Sequence, residues 1–299
     1  MPRASGRQVT AQRRQRKVYL ASAAVGLLVV IVAFALVSTL ANKSSPNVAA
    51  AKAEGLYPLP SNVLSQVQEV PVSTLVANAE AASPNDVRPP EKLPPKAPQL
   101  SSGGHPEVMF ICAEYWPSCA AERWALVMAL SKFGTFSNLM GTTSSSRETS
   151  PRTPTFSFYG ATYSSKYLTL ITDELETNRY NPAAREYPLL QFPSRQEMSI
   201  INAWDVAPYT TKRGSIPFAY MGGKFLITSA QYDASAISQM KFQTAAGIMT
   251  SGKSTVSKHA EAAAGYLVGD FCALTHDQPT SVCSQVPSSL VGITTLPAT

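Results

Sequence analysis

The sequence predicts an α/β domain held outside a membrane by one N-terminal helix, and three observations carry that expectation. Residues 18–41, VYLASAAVGLLVVIVAFALVSTLA, contain no charged side chain and directly follow a basic run. The short apolar stretch VMFIC, residues 108–112, leads through a proline bend into residues 119–133, which are apolar around most of a helical circumference. Further on, SIPFAYMGGKFLITS, residues 215–229, alternates as two strands around Gly222-Gly223, a hairpin signal.

Taken in order, residues 1–17 form a basic tail: Arg3, Arg7, Arg13, Arg14, Arg16 and Lys17 are accompanied by no acid. They account for the whole net charge of +6, because the remaining 19 basic residues match the 19 acidic ones. The body is neutral, which argues against a nucleic-acid groove, since phosphate binding needs clustered Lys and Arg in the folded part. As a helix, residues 18–41 would span about 36 Å, enough to cross a hydrocarbon core of about 30 Å. The positive flank keeps the N-terminus in the cytoplasm and places the chain beyond residue 41 outside the cell membrane as a single-pass protein, with lipid contact through residues 18–41. A cleaved signal peptide is the competing reading, with Thr39 and Ala41 as small residues at suitable spacing, although the apolar core exceeds the usual ~7–15 residues. Either way the chain is exported, and all four cysteines lie where disulfides persist.

Residues 42–104 read as an Ala/Pro-rich stalk. Residues 42–56 are rich in Ala, Ser, Lys and Asn, and residues 83–98 hold six prolines, which favour an extended, semi-rigid spacer. Between them, apolar residues at 63, 64, 67, 70, 72, 75 and 76 fit one or two short docking helices, or local helix within the stalk. The folded domain is expected over residues 105–287, with a tail at 288–299. Strands are expected at 155–159 and 167–172, an exposed loop at 143–154, and helices at 195–205 and 256–271.

The order strand-turn-helix, strand, proline-led hairpin and terminal helix resembles the thioredoxin fold. FICAEYWPSCAAERW is similar to its active-site stretch, with Cys119 at the second cysteine of the Cys-x-x-Cys motif and Trp116 at the first, so that Trp116-Pro117-Ser118-Cys119 is a departed motif. Ile216-Pro217 looks like the dipeptide in which that fold keeps a cis-proline exposing backbone for an extended partner segment. The blocks HPEVMFICAEYWPSCAAERWALVMALSKFGTFSNL, TPTFSFYGATYSSKYLTL, GSIPFAYMGGKFLITSAQYD and FCALTHDQPTSVC resemble those of the actinobacterial and archaeal "domain of unknown function 929" family more closely still. That family usually has Gly where Cys112 stands and Cys where Trp116 stands, and it brings no assigned activity.

Trp116 cannot supply the thiolate that begins disulfide exchange, and Cys119, one turn on, suits a resolving thiol. Cys112 is a possible partner for Cys119 if the alpha carbons come within about 4.4–6.8 Å; two separate buried thiols are the other reading. Cys272 and Cys283 flank a polar loop at the end of the last helix and are expected to form a structural disulfide. His105, His259 and His276 are scattered, so no metal site is expected, and nothing calls for a cofactor. Asp173, Glu174 and Glu176 read as a solvated acidic loop, and Glu114 with Arg123 as a surface ion pair or as groups tuning a thiol. Two functions stay open: a redox-degenerate module that binds extended polypeptide at the Pro217 edge or is structural, and a thiol–disulfide oxidoreductase using Cys119 with Cys112.

Overall fold

The computed structural model describes residues 55–292. The basic tail, the apolar stretch 18–41 and the last seven residues lie outside the described residues, and among those described no helix is long and apolar enough to cross a membrane.

Strand β1 (Tyr57–Pro58) is followed by two helices, α1 (Val63–Glu69) and α2 (Val72–Ala81). Pro71 separates them as the residue preceding α2, where its fixed φ suits a helix start and its missing N–H costs nothing. Val63 and Val67 on α1, and Val72, Leu75, Val76 and Ala79 on α2, are buried in the main core. Of the two readings the sequence leaves for this stretch, helices docked on the domain are the ones present, and they are built into its core ahead of the expected domain start at His105. The proline-rich residues 83–98 are not a free spacer either. Val87, Leu93 and Ala97 are buried between the prolines, and strand β2 (Glu91–Lys92) pairs with the main sheet. Proline content correctly argues against regular ladders, but single apolar residues set between prolines are enough to anchor an extended chain.

Strands β3 (Ser101–Ser102) and β4 (His105–Cys112) lead into helix α3 (Pro117–Leu130). Next come β5 (Gly134–Ser137), β6 (Met140–Thr143), β7 (Pro154–Ser157), β8 (Thr162–Ser165) and β9 (Thr169–Glu174). Helix α4 (Arg195–Trp204), the hairpin β10 (Phe218–Met221) and β11 (Phe225–Ile227), and helices α5 (Phe242–Met249), α6 (Thr255–Leu274) and α7 (Thr280–Cys283) complete the chain. The result is a mixed α/β architecture. The main sheet runs β2-β11-β10-β4, and β4 also pairs with β3 and with β9; β9 is parallel to β4 and β10 antiparallel to it. Two smaller sheets, β1-β6-β7 and β5-β8, lie beside it.

Alternation along β4 feeds two cores. Val108, Phe110 and Cys112 join the large cluster with α3 and α6, whereas Met109 and Ile111 join Phe218, Tyr220 and Ile200 of α4 on the other face. Helix α3 is buried from Cys119 to Leu130, as its all-round apolar pattern predicts. Helix α6 packs on α2 closely enough that a Cβ placed on Gly265 would lie 2.3 Å from the Leu75 carbonyl oxygen. The strands expected at 155–159 and 167–172 are each displaced by one or two residues. The loop at 143–154 is exposed at Ser146, Arg147, Thr149 and Arg152, as expected, but its base folds inward: the Ser144 hydroxyl accepts from the Thr153 N–H (2.8 Å) and donates to the Ser150 carbonyl (2.8 Å).

Candidate functional site

The candidate site forms where β4 ends and α3 begins. Trp116 precedes the helix in an extended conformation and makes no side-chain cap, and Pro117 opens the first turn, where its missing N–H costs nothing. One turn into the helix, Cys119 faces back toward the strand. Its sulfur is bonded to that of Cys112, with alpha carbons 5.8 Å apart, and the Ala113 N–H donates to it at 3.4 Å. Both cysteines are fully buried. Of the two arrangements the sequence leaves open, the bridge is the one present.

Beneath the bridge lies a buried charged cluster. Arg123, one turn after Cys119, donates through Nε to Glu174 at 2.9 Å and through Nη2 to both the second Glu174 oxygen and the Ala113 carbonyl, the latter at 3.0 Å. Both partners are fully buried. One guanidinium therefore ties α3, the motif turn and the end of β9 together. Glu114 is also fully buried and accepts from the Ser157 hydroxyl at 2.5 Å. Burial pushes its carboxyl up to about 7, and Glu174 pushes it the same way, against the pull of Arg123 and of hydrogen bonds from Ser157 and Thr142. Near neutrality Glu114 therefore keeps its proton more readily than an ordinary carboxyl would.

Two sequence expectations are corrected here. Asp173 and Glu174 are buried at the end of β9 rather than solvated, and Arg123 pairs with Glu174 in the interior rather than with Glu114 on the surface. The carboxylates of a charged DEL run look solvent-facing until the parallel pairing of β9 with β4 is known, because Glu174 then stands opposite Cys112. Another buried acid, Glu122, accepts from the Gln231 N–H at 3.1 Å, and burial raises it to about 7.

Pro217 leads β10, and the Ile216–Pro217 bond is cis. Phe218 pairs with Ile111, so continuing the antiparallel register by one residue sets Pro217 alongside Cys112. Ile216 packs partly buried against the main core. Asp205 holds the approach to this proline by accepting from the N–H groups of Gly214 and Ser215, the latter at 3.1 Å. The motif and the Pro217 edge are therefore neighbours.

Sequence reasoning missed an aromatic group over the motif. Tyr115 stacks on Tyr187 with centroids 4.1 Å apart and planes within 3°, Tyr180 meets Tyr187 edge-on at 5.3 Å, and Arg147 lies 4.2 Å above the Tyr180 ring. The Tyr187 hydroxyl donates to Glu148 at 2.8 Å, and Trp116 meets Tyr115 edge-on. Tyr180 and Tyr187 sit on an excursion that comes after β9, where no local periodicity announces a partner; only their density in an otherwise polar stretch is a signal.

Cys272 and Cys283 are bridged, with alpha carbons 5.6 Å apart, tying the end of α6 to α7. Among the described residues no group of His, Cys, Asp and Glu is placed to hold a metal ion.

No curated protein and no solved structure matches the chain. The model of one family, described as "Domain of unknown function (DUF929)", matches residues 95–254, more than half of the chain. The matched span includes the Cys112–Cys119 bridge, the Arg123–Glu174 pair and Pro217, and the chain belongs to that family.

Proposed function

We propose that this protein is a membrane-anchored, extracytoplasmic, thioredoxin-like module that has lost redox turnover and serves to hold extended polypeptide or as a structural element. The observation that carries the reading is the combination at the motif: Trp116 stands where an attacking thiolate would gain from the helix start, and the remaining sulfurs are bonded to each other and fully buried. A thiolate must reach a sulfur along an open approach, and no such approach is offered.

The thioredoxin-like reading draws support from the strand-turn-helix unit, the parallel strand β9 on one side of β4 and the proline-led hairpin on the other. The Pro217 edge, beside the motif, is where extended polypeptide would lie. Membrane anchoring draws support from six positive charges preceding an uncharged 24-residue apolar run, and the balanced charge of the remainder favours no nucleic acid. The alternative, an oxidoreductase using Cys119 with Cys112, has the bridge in its favour and its burial against it.

The test is a disulfide-reductase assay on the full chain and on Trp116→Cys. A thiol at 116 sits at the helix start, one turn before Cys119, and competes with Cys112 for it. The parent is expected to be inactive and the variant to gain activity. A folded but inert variant would mean that the missing nucleophile is not what silences the site. An active parent that Cys112→Ser abolishes would establish the oxidoreductase instead.

A further inference from the structure

Strand β9 pairs in a ladder with β4 along one side only; its other side meets residues 189–191 from Glu174 onward and, before that, faces β8 without a ladder. The direction of its backbone groups can be read from the two bonds at its end. The Leu175 N–H donates to the Cys112 carbonyl, toward β4, while the Glu174 N–H donates to the Gln191 side chain, away from it. Alternation then turns the N–H and C=O of Leu170 and Thr172 outward, and no protein group among the described residues is hydrogen-bonded to them. Exposed edge groups of this kind are a template for another strand.

The same two residues line a cavity of about 250 Å3 between β8 and β9, walled by Phe136, Phe158 and Tyr163. The wedge is closed at one end, where the Ser165 hydroxyl accepts from the N–H groups of Tyr167 and Leu168 (3.0 and 3.2 Å) and donates to the Phe133 carbonyl (2.6 Å). The cavity reaches Thr162 and Thr172. A cavity of about 150 Å3 already accepts benzene, so this one has room for a phenyl or isobutyl group.

We propose that the wedge between β8 and β9 binds an extended polypeptide segment, which pairs with the outward backbone groups of Leu170 and Thr172 and buries one apolar side chain among Phe136, Phe158 and Tyr163. Outward groups two residues apart, about 6.6 Å along the strand, match the repeat of an extended chain, and the aromatic walls select an apolar side chain. This site is independent of the Pro217 edge, because β9 and β10 flank β4 on opposite sides.

The test is hydrogen–deuterium exchange on the full chain in detergent micelles with three probes: acetyl-Thr-Thr-Phe-Thr-Thr-amide, the same peptide with Ala at the centre, and the Phe peptide N-methylated at the residues flanking Phe. The Phe peptide is expected to slow exchange in the segment spanning Leu170 and Thr172. The Ala peptide is expected to bind about tenfold or more weakly, from lost apolar burial, and the N-methylated one to lose protection of that segment. Ala161→Trp, which fills the cavity, should abolish the effect; because that variant can misfold, the N-methylated probe on the unaltered chain decides independently. Protection that is absent at millimolar peptide, insensitive to N-methylation, or confined to residues around Pro217 would overturn the proposal, and the last outcome would support the reading of the Pro217 edge.

Discussion

Replacing Arg123 by Met removes the one cation of the buried cluster and leaves Glu114 and Glu174 facing each other without it. Both members of the Arg123–Glu174 pair are fully buried, the guanidinium makes two bonds to the carboxylate, and a third goes to the Ala113 carbonyl. Breaking a buried pair from one side typically costs about 3–5 kcal/mol, because the remaining charge is neither solvated nor paired. For a domain of this size that corresponds to a fall in Tm of roughly 10 °C. The assay is urea unfolding of the full chain in micelles, monitored by tryptophan fluorescence. A companion variant sharpens it. The double variant Arg123→Met with Glu174→Leu removes the orphaned charge, so it should be more stable than Arg123→Met alone. A loss under about 1 kcal/mol, or a double variant no better than the single, would refute the claim that this pair fastens the motif turn to β9.

The pH dependence of stability has a definite sign. Glu114 and Glu122 sit at about 7 in the folded protein, above the ordinary carboxyl value, mainly because they are buried, and burial raises Asp270 as well. The folded state therefore holds protons that the unfolded chain releases, and stability should fall as pH rises from about 4.5 to 7. Glu122→Gln should flatten that fall by on the order of 3 kcal/mol, measured as urea midpoints at pH 5 and 8. Gly265→Ala drives a Cβ against the Leu75 carbonyl oxygen, so it should cost about 1–3 kcal/mol and speed amide exchange in α2, whereas a free stalk helix would be unaffected. Removing the Cys272–Cys283 bridge by paired Ala substitutions should cost about 2–3 kcal/mol in thermal unfolding, in line with the loop it closes.

The elements with a strong local period were legible. Helix α3, the hairpin β10–β11 and helix α4 emerge from the sequence within about three residues, because apolar periodicity and the Gly222-Gly223 turn act locally. What was hidden is what long-range pairing decides. Glu174 is a plain acidic residue until the β4–β9 register brings it opposite Cys112 and within reach of Arg123. Val87, Leu93 and Ala97 are isolated in a proline-rich run, and only their contacts with the domain turn a spacer into part of the body. The cysteine positions suggested the Cys272–Cys283 bridge, whereas Cys112 and Cys119 stayed open between a bridge and two buried thiols, because that pair depends on how the strand end meets the helix, a detail of turn geometry that spacing does not decide.

The central claim is that the motif's remaining sulfurs form a buried bridge that does not turn over. The direct measurement is alkylation and mass spectrometry of the full chain over time in millimolar dithiothreitol, with circular dichroism recorded in parallel. No alkylated cysteine is expected at the start, and Cys112 and Cys119 should be released only as fast as the domain unfolds. Rapid appearance of thiols at Cys112 and Cys119 while the circular dichroism stays native would contradict the claim.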